Sequence, residues 1–334
     1  MKAATFYGVG DLRIESRETP QVLAGHVLVR VAACGICGTD RHIYHGEFDT
    51  TPPVIIGHEY AGEIVVVGEG VSRLSVGDRV AIDPNMPCGV CRPCRRGDIC
   101  LCENLLALGV DVDGGFAEYS LAPQQQCCPL PDTVSPLEGA MIEPLACCLR
   151  GIDRADIQAG DTVVIIGGGA IGLMLAQLAR LRGAARLLLS DPIPERRKMA
   201  LDLGVDAIID PLASEPLTPG SPLDGGADVV IEAVGSRTTT QQAVEWSAPG
   251  ATILWFGVTP PGHTIPVEPN EVFRKELTIR GARMNPYTHD RALALLASGQ
   301  VQVAPLITRT IDLDALPGVL DAPPGSDIKT VVVP

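Results

Sequence analysis

The chain has 334 residues, of which 46% are apolar, enough to fill the cores of one large or two ordinary domains. Forty acidic residues against 26 basic ones give a net charge of −14, which disfavours binding to nucleic acids and to anionic lipid. The longest nearly continuous apolar stretch, 163–175, contains three consecutive glycines and is shorter than the ~20 residues that a spanning helix requires. The N-terminal segment has no apolar signal-peptide core, so we expect a cytoplasmic protein.

The first 145 residues are predicted to be mainly β. Short runs rich in β-branched residues, bounded by Gly, Pro or Asp, predict strands at about 2–6, 26–32, 64–68 and 79–82. No repeat of solenoid length and no heptad pattern is present in the sequence.

Four cysteines in the spacing C-x2-C-x2-C-x7-C form a local group: Cys88, Cys91, Cys94 and Cys102. In a long chain under reducing conditions, such a group favours a metal site over disulfides. Four thiolates complete the tetrahedral shell of a structural zinc and leave no open position for a substrate. Cys100 could replace Cys102 as the fourth ligand, and the alternative without metal is a group of five reduced thiols.

A second set of metal-binding side chains is more widely spaced. Cys37 lies in C-G-I-C-G-T-D, His58 and Glu59 lie in G-H-E, and Glu143 lies in E-P-L. A thiolate, an imidazole and carboxylates make a suitable open ligand set for a catalytic zinc. From spacing alone, His58 could equally be a structural histidine and Glu143 an ordinary loop acid.

From residue 161 onward, strands and helices are predicted to alternate. Apolar runs predict strands at 162–166, 185–190, 207–209, 228–233, 251–256 and 277–281. Helices are predicted from the glycine turn up to Gly183, at 195–203 and at 238–247. Segment 211–226, rich in Pro, Gly and Ser, is predicted to be a surface connection. The alternation predicts an α/β fold with a doubly wound parallel sheet.

The turn after the first of these strands carries G-x-G-x-x-G, formed by Gly167, Gly169, Ala170, Ile171 and Gly172 with one intervening residue. The first glycine permits a tight turn, the second lets a pyrophosphate approach the backbone, and the third lets helix and strand pack closely. The pattern predicts a dinucleotide site, and a glycine turn without ligand is the alternative.

Asp191 ends the second strand of this region, 19 residues after Gly172. A carboxylate at this place accepts hydrogen bonds from the adenosine ribose hydroxyls and repels a 2′-phosphate, which favours NAD over NADP. Arg196 is a further candidate for cofactor binding, and with Arg197 it keeps NADP open as an alternative. Asp191 could also merely cap the following helix.

The tail after residue 281 has only two predicted elements, a helix at 291–297 and a strand at 330–333. This is too little for an independent domain. We expect the tail to pack back on the N-terminal part of the chain.

Seven motifs occur in order between about residues 30 and 190: GICGTD, GHEYAGEIVVVG, VGDRV, the four-cysteine group, GGFAEY, EPLACC and GGGAIG. As a set they resemble the zinc-dependent medium-chain dehydrogenase/reductase family. Within it, E-P-L and G-H-E resemble polyol dehydrogenases of the sorbitol and xylitol type, whereas GICGTDRHIY is similar to threonine dehydrogenase.

The resemblance implies a GroES-like, mainly β catalytic domain at 1–145, which contains the structural zinc lobe 88–102. It also implies an NAD-binding Rossmann domain at 146–282, and a C-terminal segment at 283–334 that returns to the catalytic domain. Cys37 and His58 match the family's zinc ligands. Glu59 and Glu143 match the family's acids beside the metal. Either glutamate binds the zinc directly or through water.

Three further roles are implied by the same resemblance. Thr39 and His42 match the hydroxyl and the imidazole that pass the alcohol's proton to solvent, and the alternatives are a turn hydroxyl and a surface imidazole. Arg283 falls where polyol dehydrogenases place an arginine that contacts a substrate hydroxyl. Arg150 departs from the pattern, because relatives often have a histidine there.

The implied reaction is oxidation of a secondary alcohol of a polyol to a ketose, with NAD and two zinc ions per chain, one catalytic and one structural. Alternatives are an L-threonine or simple secondary-alcohol dehydrogenase and, from another class, a nucleotide-binding redox sensor. The expected partners are a small-molecule alcohol and other copies of the chain in a homotetramer or homodimer, with no nucleic acid and no membrane. The remaining cysteines are expected to be buried or spare thiols: Cys34, Cys100, Cys127, Cys128, Cys147 and Cys148.

Overall fold

The computed structural model describes residues 1–213, 216–323 and 325–334. The strands are β1 (Lys2–Gly8), β2 (Asp11–Ser16), β3 (His26–Gly35), β4 (Val54–Ile55), β5 (Glu59–Val67), β6 (Arg79–Ile82), β7 (Asn85–Met86), β8 (Leu106–Ala107), β9 (Tyr119–Pro123), β10 (Cys127–Pro129), β11 (Thr162–Ile166), β12 (Arg186–Ser190), β13 (Ala207–Ile209), β14 (Ala227–Glu232), β15 (Ser247–Trp255), β16 (Thr278–Gly281), β17 (Ile307–Ile311) and β18 (Lys329–Val332).

The helices are α1 (Gly38–Tyr44), α2 (Arg92–Arg95), α3 (Pro136–Gly139), α4 (Ile142–Ala155), α5 (Ala170–Arg182), α6 (Pro194–Asp202), α7 (Arg237–Glu245), α8 (Pro269–Lys275), α9 (His289–Ala297) and α10 (Leu316–Asp321). Short 3-10 helices occupy Ile99–Leu101, Gln124–Gln126, Ala304–Leu306 and Leu313–Ala315. Within the described part of the chain, no helix has the length and apolar character needed to cross a membrane.

The chain divides into two compact units. One consists of Met1–Ala146 together with Pro286–Pro334, and the other of Cys147–Asn285. The first unit is therefore assembled from two segments that are far apart in sequence.

The first unit is mainly β. Its largest sheet has seven strands, in the order β10-β6-β5-β3-β18-β17, with β9 also paired to β3. Smaller sheets have the orders β2-β1-β4 and β7-β8. Because β3 pairs with β5 on one side and with β18 on the other, a late strand completes a sheet that the early strands begin. Its core surrounds fully buried side chains such as Tyr60, Phe116 and Ile64.

The second unit contains a six-stranded sheet of order β13-β12-β11-β14-β15-β16, and all of its neighbouring strands run parallel. Its central strand, β11, is apolar almost throughout, as expected where helices cover both faces of a sheet. This confirms the predicted doubly wound parallel sheet. The strand order reverses between β11 and β14, and in such sheets ligands bind at that switch point, beside the carboxyl ends of the strands.

Most strands lie where the sequence predicts them, and β6, β11 and β13 match to the residue. Strand β5 begins at Glu59, earlier than predicted. Helix α4 is absent from the sequence prediction because Pro144 and Gly151 interrupt its pattern. Proline is tolerated in the first turn, where its missing N–H is not needed. A Cβ at Gly151 would lie 2.8 Å from the ring of Phe256, so close packing explains this glycine.

The predicted surface connection 211–226 has no helix or strand in its described part. Its residues 214 and 215, and residue 324 of the predicted C-terminal segment, lie outside the described residues.

Candidate functional site

The four-cysteine cluster consists of Cys88, Cys91, Cys94 and Cys102, whose Sγ atoms all lie within 4.8 Å of one another. Cys91 is the N-cap of α2, Cys94 lies within that helix, and Cys102 follows the next 3-10 helix. The main-chain N–H groups of Cys88 and Asn104 donate to Cys102 Sγ at 3.3 and 3.4 Å. Four convergent sulfurs with main-chain donors fit a closed, structural zinc site.

Main-chain hydrogen bonds favour the thiolate form of one of these sulfurs. The N–H groups of Val90 and Cys91 hydrogen-bond to Cys88 and lower the pKa of its thiol to about 6. The thiolate is the form that binds metal. Cys100 is buried and, among the described residues, is not a member of the four-cysteine cluster, which favours Cys102 as the fourth sulfur.

The Cys37 cluster consists of Cys37, His58 and Glu59, whose ligand atoms also lie within 4.8 Å of one another. Cys37 is the N-cap of α1, whereas Glu59 is the first residue of β5 and His58 directly precedes it. Gly57, just before them, has φ +96°, a conformation that favours glycine. A thiolate, an imidazole and a carboxylate fit zinc and leave room for a further ligand in a tetrahedral shell.

Asp40 is a fully buried acid beside this cluster that the sequence analysis did not single out. One of its oxygens accepts a hydrogen bond from the Cys37 main-chain N–H at 2.7 Å. The other lies 3.4 Å from His58 Nδ1, and neither of these two atoms has a hydrogen-bond partner among the described residues. A carboxylate in this position orients an imidazole and makes it a more basic metal ligand.

Burial alone would lower the pKa of His58, but the negative charges of Asp40 and Cys37 outweigh burial and raise the pKa well above its ordinary value. In the sequence, the spacing of Asp40 from Cys37 is the feature that could have indicated this contact. An acid three residues after an N-cap can accept a hydrogen bond from the N-cap N–H.

Lys329 is a second charged partner of this cluster, and no sequence motif contains it. Its buried ammonium pairs with the Glu59 carboxylate across 270 positions of chain. Burial alone would lower the pKa of Lys329, but the Glu59 charge outweighs it and raises the pKa. The ion pair compensates a carboxylate that is only 1% exposed.

Gly35 explains how this ion pair forms across a strand. It ends β3, where it pairs with Glu59 of β5 on one side and with Val331 of β18 on the other. A Cβ at Gly35 would collide with the Glu59 carboxylate and lie 2.9 Å from Lys329 Cε. The missing side chain therefore leaves the space in which the two charges meet.

Glu143 lies in the first turn of α4 and is buried. Among the described residues it is not part of the Cys37 cluster, so its role beside the metal stays a prediction. Thr39 Oγ1 lies 3.7 Å from Cys37 Sγ. His42, one turn further along α1, has its Nδ1 2.6 Å from Glu47 Oε2. The roles of Thr39 and His42 in proton transfer also stay predictions.

The glycine turn of the second unit has the geometry of an anion cradle. Gly167 has φ +109°, and a Cβ at Gly172 would collide with the Gly167 carbonyl oxygen. A Cβ at Gly169 would meet nothing within 4 Å, so the space beside this residue is open. Gly169 is also the N-cap of α5, and Ala170 and Ile171 form that helix's first turn. Free N–H groups at a helix N-terminus favour phosphate oxygens.

Asp191 directly follows β12 and is 4% exposed. Its carboxylate accepts hydrogen bonds from the main-chain N–H groups of Gly168 at 2.7 Å and Ile193 at 2.8 Å. Arg196 approaches the same carboxylate to 3.8 Å, whereas Arg197 forms an ion pair with Asp210 at 2.9 Å. Asp191 thus lies against the glycine turn.

Arg283 is exposed in the irregular segment after β16, within the second unit. Its contact with a substrate, like the ribose contact of Asp191, stays a prediction.

Comparison with known proteins adds independent information. The family model of the alcohol dehydrogenase GroES-like domain matches residues 23–132, and that of zinc-binding dehydrogenases matches residues 170–298. D-xylulose reductase A of Aspergillus oryzae is 33% identical, with 97% of this chain and 94% of that protein covered. L-threonine 3-dehydrogenase of Caldanaerobacter subterraneus is 37% identical, with 90% and 88% covered.

Two solved structures are also similar. A zinc-binding dehydrogenase of Sinorhizobium meliloti, bound to NADP, is 42% identical with a TM-score of 0.97 and covers 100% of this chain and 99% of its own. An alcohol dehydrogenase of E. coli, in complex with NADH, is 32% identical with a TM-score of 0.91 and covers 100% and 99%. These matches confirm the predicted fold class, a GroES-like domain combined with a Rossmann domain.

Proposed function

Because this chain belongs to the zinc-dependent medium-chain dehydrogenase/reductase family, we propose that it transfers a hydride between a secondary alcohol of a polyol and NAD, forming a ketose. The observation that carries the proposal is the Cys37 cluster, in which a thiolate, an imidazole and a carboxylate converge. Two buried charged residues flank it: Asp40 lies beside the imidazole of His58, and Lys329 pairs with the carboxylate of Glu59. The 33% identity to a D-xylulose reductase over 97% of the chain supports the polyol class.

Cys37, His58 and Glu59, with Glu143 directly or through water, would hold the catalytic zinc, which when bound polarises a substrate hydroxyl and lowers its pKa. Asp40 keeps the His58 imidazole oriented, and Lys329 fixes the carboxylate of Glu59. The four-cysteine cluster would hold the structural zinc that stabilises its lobe.

Two residues of α1 would carry the substrate's proton away. Thr39, next to the Cys37 sulfur, offers a hydroxyl that can accept and pass on a proton. In the tautomer in which His42 Nδ1 donates to Glu47, the ring's Nε2 is an acceptor and can receive that proton. Removing the Thr39 hydroxyl should therefore cost more activity than removing the His42 ring.

The glycine turn and the α5 N-terminus would bind the pyrophosphate of NAD, which when bound accepts the hydride at its nicotinamide ring. Asp191 would accept the adenosine ribose hydroxyls, with Arg196 beside it. We expect kcat/KM to be at least about tenfold higher with NAD than with NADP. The S. meliloti relative was solved with NADP bound, and a preference of this chain for NADP would contradict the role of Asp191.

The substrate class is tested with the purified, zinc-loaded enzyme and a panel of pentitols, hexitols, L-threonine and 2-butanol. We expect the highest kcat/KM for a pentitol or hexitol, with a ketose as the product. Substitution of Arg283 by alanine should raise KM for the polyol, because one hydroxyl contact is lost. NAD binding without turnover of any alcohol would favour the redox-sensor alternative.

L-threonine is the second candidate substrate, and the observation in its favour is the 37% identity to a threonine dehydrogenase. Preferred oxidation of threonine over every polyol would replace the first proposal by this one.

We further propose that the protein works in the cytoplasm as a homotetramer or homodimer. Among the described residues, none of the eleven cysteines forms a disulfide, which supports a reducing compartment. The oligomeric state rests on the family resemblance and is tested by light scattering of the purified protein.

A further inference from the structure

Glu232 is a fully buried acid at the carboxyl end of β14. Its Oε1 atom accepts three hydrogen bonds of 2.8 Å, from the main-chain N–H groups of Val234 and Gly235 and from the Thr239 hydroxyl. A single carboxylate oxygen thereby ties the loop after β14 to the first turn of α7.

On one side, this loop packs against the glycine turn. The Ala233 main-chain N–H donates to the Ile166 carbonyl at 2.9 Å, and a Cβ at Gly167 would lie 2.8 Å from Val234 Cγ2. The position of Val234 is thus coupled to the first glycine of the nucleotide motif.

On the other side, the loop packs against the segment after β15. The Glu232 carbonyl accepts hydrogen bonds from the N–H groups of Phe256 and Gly257, both at 2.9 Å. A Cβ at Gly257 would lie 2.8 Å from Glu232 Oε2 and would collide with the Gly235 nitrogen. Glu232 therefore connects the loops that follow β14 and β15 beside the turn that follows β11.

The sheet order decides which half of a dinucleotide this loop faces. Asp191 follows β12, on one side of β11, whereas Glu232 ends β14, on the other side. A dinucleotide crosses the switch point with its pyrophosphate at the turn after β11. If Asp191 holds the adenosine ribose, the loop after β14 lines the half that carries the nicotinamide.

We propose that Glu232 is a positioning residue for the nicotinamide half of NAD. It keeps the Val234–Gly235 loop in the binding conformation before the cofactor arrives, so that binding does not have to order the loop. The inference rests on the proposed use of NAD and adds a residue that none of the sequence motifs contains.

The test compares binding of NAD with binding of AMP, which carries only the adenosine half, by calorimetry on the full-length, zinc-loaded enzyme. Replacing Glu232 by Met removes the acceptor and should raise the Kd for NAD roughly tenfold while changing the Kd for AMP less than about twofold. Glu232→Gln keeps an acceptor oxygen and should restore most of the NAD affinity.

If Glu232→Met does not fold, a matched pair of threonine variants in α7 provides a second test. The hydroxyl of Thr239 bonds both to Glu232 and to Ser236 in the capping box of α7, whereas that of Thr240 donates to the Ser236 carbonyl at 2.7 Å and makes no bond to Glu232. Thr239→Val should weaken NAD binding about threefold and leave AMP binding unchanged, and Thr240→Val should change neither.

Equal loss of NAD and AMP affinity in Glu232→Met, or unchanged NAD affinity in a folded Glu232→Met, would overturn the positioning role. Equal NAD affinities of Thr239→Val and Thr240→Val would also overturn it. Failure of the wild-type protein to bind NAD would instead overturn the proposed function and, with it, this inference.

Discussion

The four-cysteine cluster and the Cys37 cluster lie in the same unit, yet they are built in different ways. The first takes its members from one short stretch, with Cys88 and Cys102 only 14 positions apart, and nearby uncharged N–H groups donate to its sulfurs. The second takes its members from different elements and depends on buried charges, Asp40 and Lys329. If the proposed roles are right, a site that only stabilises a lobe is specified locally, whereas an open, reactive site draws on distant parts of the chain.

The largest expected difference between the two clusters is in turnover. Cys37→Ser or His58→Ala should lower kcat by at least about a thousandfold, because the metal that polarises the substrate is lost. NAD affinity and the zinc of the four-cysteine cluster should remain. Steady-state kinetics, cofactor titration and metal analysis measure the three quantities, and near-wild-type turnover in either variant would refute the catalytic assignment.

Removal of one sulfur from the four-cysteine cluster should act on stability instead. Cys94→Ser is expected to release the lobe's zinc and to lower Tm by about 10 °C, because a structural metal supplies folding free energy. The kcat of the protein that remains folded should change little. A calorimetric scan with metal analysis tests this, and an unchanged Tm after loss of the metal would contradict the structural role.

The next largest effect is expected at Lys329, which is distant in sequence and pairs with Glu59 of the Cys37 cluster. In the zinc-free protein, Lys329→Met leaves the Glu59 carboxylate buried without a countercharge and should reduce the free energy of unfolding by about 3 kcal/mol. Lys329→Arg keeps the positive charge and should retain much of this free energy. The control is Lys275→Met, which removes a more exposed ion pair with Glu271 at 3.0 Å and should cost less than about 1 kcal/mol. Equal costs in denaturant titration would show that the buried pair has no special role.

The smallest effect is expected at Cys100, the thiol beside the four-cysteine cluster. Cys100→Ser should keep both zinc ions and change Tm by less than about 2 °C, whereas Cys102→Ser should lose the lobe's zinc. Metal analysis of the two variants side by side shows which of the two cysteines is the fourth ligand. Zinc loss in Cys100→Ser alone would mean that the fourth ligand has been chosen wrongly.

The sequence predicts what depends on neighbours along the chain. The strands of the second unit follow from apolar runs, and the convergence of four cysteines follows from their spacing. Helix α4 is missed because the packing of Gly151 on Phe256, which explains the glycine, is not visible in sequence. Lys329 and Glu232 are missed for a related reason, since a lone charged residue in a strand carries no motif and its burial follows from tertiary structure.

The pairing of Glu59 with Lys329 also sets an order of events during synthesis. Chains are made from the N-terminus, so Lys329 is added 270 positions after Glu59. Until then, Glu59 lacks its countercharge and β3 lacks its neighbour β18. The four-cysteine cluster waits for no such late partner, because its four sulfurs and the N–H groups that donate to them all lie between residues 88 and 104.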